Sequence, residues 1–333
     1  MSHALLSHTT KILDKYKSDG VSEIMVNQPG EVWIDKNGSM SKILDENITP
    51  DNMKNLAFAI AGTAGQEISN LKPLVSATLP IYLSEDVIKG GERVQIVHPP
   101  LVPSNQIAIA MRIPSTKRFT LDDYKKSGAF ENIKKLDSDD KLRKHYKQKN
   151  WYRFLIEAVK QKKNIINSGG TSTGKTTFSN TLTTLMGLNE RLIIIEDSSE
   201  IKAEQQNKLN LLTSTEKKDS NGVVIAPKIT PRELIEASLR LRPDRIIQGE
   251  LRGAEAFDFL RAINSGHPGS ISTIHADTAT GALNALEQLV MQAGMGWNGK
   301  EIKKYIMSVV DVVIQWRRQD DKRYISEIWW RES

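Results

Sequence analysis

The chain has 333 residues, 39% of them hydrophobic, 26% charged and 6% aromatic, and carries a net charge of +6 with no cysteine. That length exceeds what one hydrophobic core usually organises, so two domains with a cleft between them are expected, and nothing points to a fibrous or disordered chain. The missing thiols exclude disulfides and thiolate metal sites, while the modest excess of bases permits loose attraction to anionic lipid or nucleic acid without establishing either.

Leu5, Leu6, Ile12, Leu13 and Tyr16 are spaced as an amphipathic helix over residues 1–18, ending at Gly20. From Ser22 to Leu44 the period shortens to that of strands, punctuated by the turn pairs Pro29-Gly30 and Asn37-Gly38, which predicts a small antiparallel sheet. Thr49 caps a helix with Pro50 at its first position and Met53, Leu56, Ala57 and Ile60 as its buried stripe. Strands are expected at Leu74–Leu79, Arg93–Val97 and Gln106–Met111. Between Asp122 and Asn150 the composition turns to Lys, Asp and Glu, which marks an interdomain connection, part helical and part flexible. Its mixed signs argue against a nucleic-acid patch, and no amphipathic basic helix stands out. From Trp151 onward helices alternate with buried strands, the pattern of a parallel sheet sandwiched by helices. No run is long and apolar enough to span a bilayer, and Met1–Thr10 lacks the layout of a secretory signal, so a cytoplasmic location is expected.

The strongest local signal is Gly169-Gly170-Thr171-Ser172-Thr173-Gly174-Lys175-Thr176, followed by Thr177. It fills the G-x-x-x-x-G-K-[ST] pattern between a strand, Asn164–Asn167, and a helix beginning at Thr176. Its glycines let successive N–H groups converge on phosphate oxygens at a helix N-terminus, where the dipole favours negative charge. Lys175 is expected on the β- and γ-phosphates of ATP, and the Thr176 hydroxyl on Mg2+. Hydrolysis also needs an acid that orients or deprotonates a water. Two strands end in carboxylates, Arg191–Asp197 with Glu196 and Arg245–Glu250, at the edge where open α/β sheets bind ligands. The second strand lacks a closing aspartate, which leaves Thr176 and waters for the metal and Glu250 as the best candidate base.

These motifs resemble the secretion ATPases of type II and type IV secretion and type IV pilus systems, most closely the hexameric traffic ATPase of type IV secretion. The resemblance rests on the P-loop, the acidic box Ile195-Glu-Asp-Ser-Ser-Glu200, the stretch Leu241–Gly253, and the histidine box Ser265–Asp277. It covers nearly the whole chain. It implies a RecA-like P-loop C-terminal domain over residues 151–333, a charged linker over 131–150, and a smaller α+β N-terminal domain with a mixed sheet over 1–130. It further implies a homohexamer at the cytoplasmic face of the inner membrane, peripherally attached and working with membrane components of a type IV secretion system. Carried over residue by residue, Glu250 matches the catalytic glutamate, Glu196 and Glu200 lie in the acidic box, and His275 matches the γ-phosphate sensor. Arg93 and Arg112 look like the arginines that the N-terminal domain presents to phosphates.

Duller readings stand beside these. His267 and His275 could be hydrogen-bonded core histidines, Arg93 and Arg112 a solvated strand face, and Arg240 and Arg242 partners in subunit salt bridges. Trp329 and Trp330 read as hairpin packing. The absence of cysteine sets aside members with a paired-cysteine metal insertion. Ser172-Thr173 stands where a Gly-Ser pair is common. Three functions are weighed: an ATP-hydrolysing motor for pilus assembly or substrate export, a nucleotide-switched scaffold with negligible turnover, and a DNA translocase. The last ranks lowest, since no aromatic-plus-basic platform is found and direct nucleic-acid binding is not expected.

Overall fold

A computed structural model of the chain describes residues 11–84, 87–115, 119–131 and 139–333. Leu5 and Leu6 of the expected first helix lie outside the described residues; residues 11–14 are helical (α1), and Leu13 and Tyr16 are buried.

Three strands, β1 (Val21–Val26), β2 (Glu31–Lys36) and β3 (Ser39–Leu44), form a meander. Asn37 and Gly38 both take positive φ at the turn between β2 and β3, which suits the right-handed twist of a hairpin. Helix α2 (Pro50–Thr63) starts where the Thr49 side chain accepts the Asn52 N–H. Strands β4 (Leu74–Thr78), β7 (Arg93–Val97) and β8 (Ala108–Arg112) complete a sheet ordered β3-β2-β1-β8-β7-β4, and β5 (Tyr82–Ser84) and β6 (Val87–Lys89) make a separate hairpin.

Every neighbouring pair in that six-stranded sheet is antiparallel, so the mixed sheet implied by the resemblance is corrected. Tight turns join β1, β2 and β3, and parallel neighbours would need long crossovers between them. The alternation of side chains buries both faces. Ile24, Val26, Ile109 and Met111 pack under α2, whereas Met25, Ala108 and Ala110 point the other way, into a core shared with the C-terminal half.

The charged connection contains α3 (Leu121–Lys126) and α4 (Asp140–Lys147), leading into α5 (Trp151–Lys160). The C-terminal half comprises β9 (Ile165–Gly169), α6 (Lys175–Thr183), β10 (Leu192–Glu196), β11 (Lys208–Leu212), a hairpin of β12 (Lys217–Lys218) and β13 (Val224–Ala226), and α7 (Pro231–Ser238). It continues with β14 (Arg245–Gln248), α8 (Glu255–Asn264), β15 (Ile271–Ile274), α9 (Ala279–Met291), α10 (Gly299–Val309), β16 (Val312–Gln319) and β17 (Lys322–Trp330). The sheet order is β11-β10-β14-β15-β9-β16-β17, parallel throughout except for β17. This is the expected two-domain α/β architecture. Strand β16 begins only at Val312, because Ile302, Ile306 and Val309 recur at helical spacing behind an Asn298/Glu301 capping box. Trp330 is buried against the rings of Tyr146 and Phe154, at 5.4 and 5.7 Å, so the packing reading holds for it.

Polar contacts fix the two halves together. The buried Arg191 guanidinium donates to Asn27 Oδ1 at 2.8 Å and to the Leu241 carbonyl at 2.8 Å, and Asn27 donates to Asn207 at 3.0 Å. At the entry to β14, Arg245 binds both Glu190 oxygens, at 2.7 and 2.9 Å. Burial alone would raise the Glu190 pKa, but Arg245, the Gly187 N–H and Lys162 together hold it at about 2 rather than 4.5. A carboxylate depressed on folding stabilises the protein above its unfolded pKa, so this contribution is complete above pH 4.5 and disappears between there and pH 2. Thermal unfolding followed across that window should show a steep fall in Tm that Glu190→Gln flattens. Arg245→Met, which takes the two-point partner from the half-buried Glu190 carboxylate and leaves it Lys162 at 3.2 Å, should lower Tm at pH 7.

Candidate active site

Parallel pairing gathers the motifs at one edge. Ile195 lies opposite Gln248, Gln248 opposite Ser272, and Ile274 opposite Ser168. The residues just past these positions, Glu196, Glu250, His275 and Gly169, therefore emerge side by side at the carboxyl ends of β10, β14, β15 and β9. They surround a cavity of about 460 Å³ lined by Thr171 to Thr177, Glu196, Glu200, Glu250, Thr273 and His275. Gly169 and Gly170 lie beneath it. A Cβ on Gly169 would sit 2.7 Å from Thr173 Oγ1 and 2.8 Å from the Trp316 carbonyl, so the β9-to-loop corner accepts glycine alone.

Helix α6 begins behind Gly174, whose φ of 100° and missing side chain leave the first-turn N–H groups of Lys175, Thr176 and Thr177 facing the cavity with no intrahelical acceptor. Lys175 Nζ is tucked in, donating at 2.8 Å to the carbonyls of Gly169 and Gly170. Burial lowers its pKa, opposed by the nearby Glu250 carboxylate. Thr173 Oγ1 donates to the Gly170 carbonyl at 2.9 Å and braces the loop. Ser172 holds φ at +59°, the left-handed region where a side chain is strained. Ser172→Gly should therefore raise stability by about 1 kcal/mol, read as a Tm gain of about 2 °C. An unchanged or lower Tm would show the loop unstrained.

Glu196 spends one carboxylate oxygen on the N–H groups of Glu200 and Ile201, at 3.1 and 3.0 Å, and so shapes the acidic box. Its other oxygen is buried without a partner among the described residues, and burial raises its pKa. Glu200 lines the cavity from the exposed rim. Glu250 is held on both sides: His275 Nε2 donates to Oε1 at 2.5 Å, and Arg252 Nε donates to Oε2. Arg252 also reaches Asp197 at 2.7 Å.

Sequence reasoning passed over two cavity arginines. Arg252 lies inside the quoted Gly249–Gly253 stretch, where its guanidinium could have been paired with the acid two residues earlier. Arg323 comes from the β16–β17 hairpin and lies beside the P-loop, its Cδ 3.5 Å from where a Gly174 Cβ would stand; no local motif announces it.

Arg93 and Arg112 are not part of this cavity. They face each other across β7 and β8 and line a second cleft of about 440 Å³ between the two halves, with Glu23, Arg240, Arg242 and His267. Arg112 lies 3.9 Å from Glu23. Burial lifts the Glu23 pKa to about 7, against the pull of Arg112 and Arg242. Arg242 is ion-paired within the chain, to Asp35 at 2.5 Å and Asp244 at 2.9 Å. His267, part-buried, donates through Nδ1 to the Pro243 carbonyl at 2.8 Å, and burial lowers its pKa.

A family profile described as "Type II/IV secretion system protein" matches residues 7–321. The chain belongs to that family of secretion ATPases. Among curated members, the type IV secretion system protein VirB11 of Bartonella henselae is 34% identical, covering 94% of this chain and 89% of its own length. PtlH of Bordetella pertussis, also a type IV secretion system protein, is 34% identical over 94% and 91%. Of solved structures, the VirB11 ATPase from the Brucella suis type IV secretion system, in complex with sulphate, superposes with a TM-score of 0.86 at 30% identity. It covers 98% of this chain and 94% of that one. The family assignment thus embraces both halves of the fold as well as the P-loop.

Proposed function

We propose that this family member hydrolyses ATP as one subunit of a homohexameric motor, peripherally attached at the cytoplasmic face of the inner membrane, that powers type IV secretion. The observation that carries the reading is the meeting in one cavity of a P-loop lysine, free helix N–H groups and a half-buried glutamate paired with a histidine. The P-loop N–H groups and Lys175 bind the β- and γ-phosphates, Lys175 leaving the two loop carbonyls for stronger, charged acceptors. Glu250 takes the proton of a water whose oxygen bonds to the γ-phosphorus as the bond to ADP breaks. His275, hydrogen-bonded to Glu250, carries the arrival of the γ-phosphate to the base.

The unpartnered oxygen of Glu196 and the Thr176 hydroxyl, on the same cavity, fit a hydrated Mg2+, which would neutralise charge on the β- and γ-phosphates.

Arg93 and Arg112 line a different cleft from the P-loop of their own chain. Their role as phosphate-contacting arginines is thus best served on a neighbouring subunit, which makes the ring part of the active site.

A second reading, the nucleotide-switched scaffold, draws support from the clamp on Glu250, since a base whose two oxygens are both engaged turns over slowly until they are released. Magnesium-dependent phosphate release separates the two readings. The motor loses it in both Lys175→Ala and Glu250→Gln, while a scaffold shows little to lose.

A further inference from the structure

We propose that the exposed basic face formed by α4 and the first turn of α5 is the surface by which this protein docks on an anionic lipid membrane. The inference rests on the peripheral attachment proposed above and assigns it to particular residues.

Taken over residues 122–150 the charges are of mixed sign, but the bases concentrate in the second half of that stretch. Residues 140–153 carry Lys141, Arg143, Lys144, Lys147, Lys149 and Arg153 against the single carboxylate of Asp140, in a chain whose whole net charge is +6. All six cations are solvent-exposed. Arg143 alone is paired, loosely, with Glu332 at 3.7 Å; the other five form no ion pair among the described residues. The backbone beneath them is fixed. Leu142 is fully buried, and Tyr146 stacks against Trp151, Phe154 and Trp330 at 5.3 to 5.4 Å, so the cations stand on a rigid platform.

Lys141, Lys144 and Lys147 recur every third residue along one side of α4. Arg143, Lys147, Lys149 and Trp151 converge on a shallow groove of about 430 Å³, where Glu332 is the acidic side chain among the lining residues. Beside it Tyr152, 74% exposed, and the edge of Trp151, 36% exposed, point outward at the N-terminus of α5. A plane of unpaired cations flanked by two amphipathic aromatic rings has the chemistry of a lipid-headgroup interface. Lysine and arginine reach the phosphates while their stems and the tyrosine and tryptophan rings lie at the glycerol level. A strand of nucleic acid would instead want stacking faces turned outward, and the rings of Tyr146, Phe154 and Trp330 are committed to one another. None of these residues lines the P-loop cavity, so docking leaves the nucleotide site open.

The test is flotation of the purified full-length protein with vesicles of phosphatidylcholine alone or with about one-third phosphatidylglycerol. Wild type should float with the anionic vesicles only and be released as salt rises. Lys144→Glu/Lys147→Glu should weaken that binding at least about thirtyfold, and Tyr152→Ala several-fold, with phosphate release unchanged in both. Equal binding of the double variant would place membrane attachment on another surface and overturn this assignment while leaving peripheral attachment standing. Failure of wild type to float would remove both, and the motor would still be judged by phosphate release. Loss of duplex-DNA retention in the double variant, with no flotation of wild type, would make nucleic acid the occupant.

Discussion

Glu250→Gln is expected to lower magnesium-dependent phosphate release by about 10²–10⁴-fold while ATP still binds with nearly wild-type affinity. The glutamine keeps size and hydrogen-bonding reach and loses only the capacity to take a proton. The backbone of β14 stays in register with β10 and β15, and the P-loop is untouched. His275 and Arg252 each lose a charged acceptor on Glu250, so their own contacts will relax. Lys175→Ala makes the contrast, since it removes the cation closest to the phosphates and should weaken both binding and turnover. Nucleotide affinity by titration and phosphate release by steady-state assay separate the two variants. Wild-type hydrolysis in Glu250→Gln would mean that another group, with Glu196 the nearest alternative, accepts the proton.

Arg93→Ala/Arg112→Ala is expected to cost about 10³–10⁵ in turnover without loosening the P-loop, the magnitude typical of an arginine that meets the transferred phosphoryl group. Both side chains are exposed, and among the described residues Arg112 is tied only to Glu23 at 3.9 Å, so the fold should tolerate the change. Because they line a cleft distinct from their own P-loop cavity, the deficit should be repairable in mixtures. Subunits carrying Lys175→Ala supply intact arginines, and those lacking the arginines supply an intact P-loop. Combining two inactive proteins should restore part of the rate. Mixtures as silent as their components would show that the arginines do not act across subunits.

Much of this architecture was legible because it is written in local patterns. The P-loop declares itself through glycine spacing between a strand and a helix, and Leu192–Glu196 through an apolar run that parallel sheets bury on both faces. From those, the gathering of Glu196, Glu250 and His275 follows, since parallel strands must end at one edge. What escaped depends on distant parts of the chain. Arg323 reaches the cavity only because β17 folds back along β16, and nothing within its own hairpin specifies where that edge strand lies. The all-antiparallel N-terminal sheet differs from expectation because pairing partners such as β1 with β8 are set by tertiary packing under α2. The basic face of α4 was hidden for a different reason: its cations are contiguous from Lys141, and averaging them with the acids between Asp122 and Asp140 made the whole connection read as mixed in sign.

The most direct test of a motor with a composite site is magnesium-dependent phosphate release by the purified protein across a range of concentrations, with mass followed in parallel by light scattering. The account predicts activity that rises as hexamers form; full activity in a monomer, or none in a stable hexamer, would contradict it.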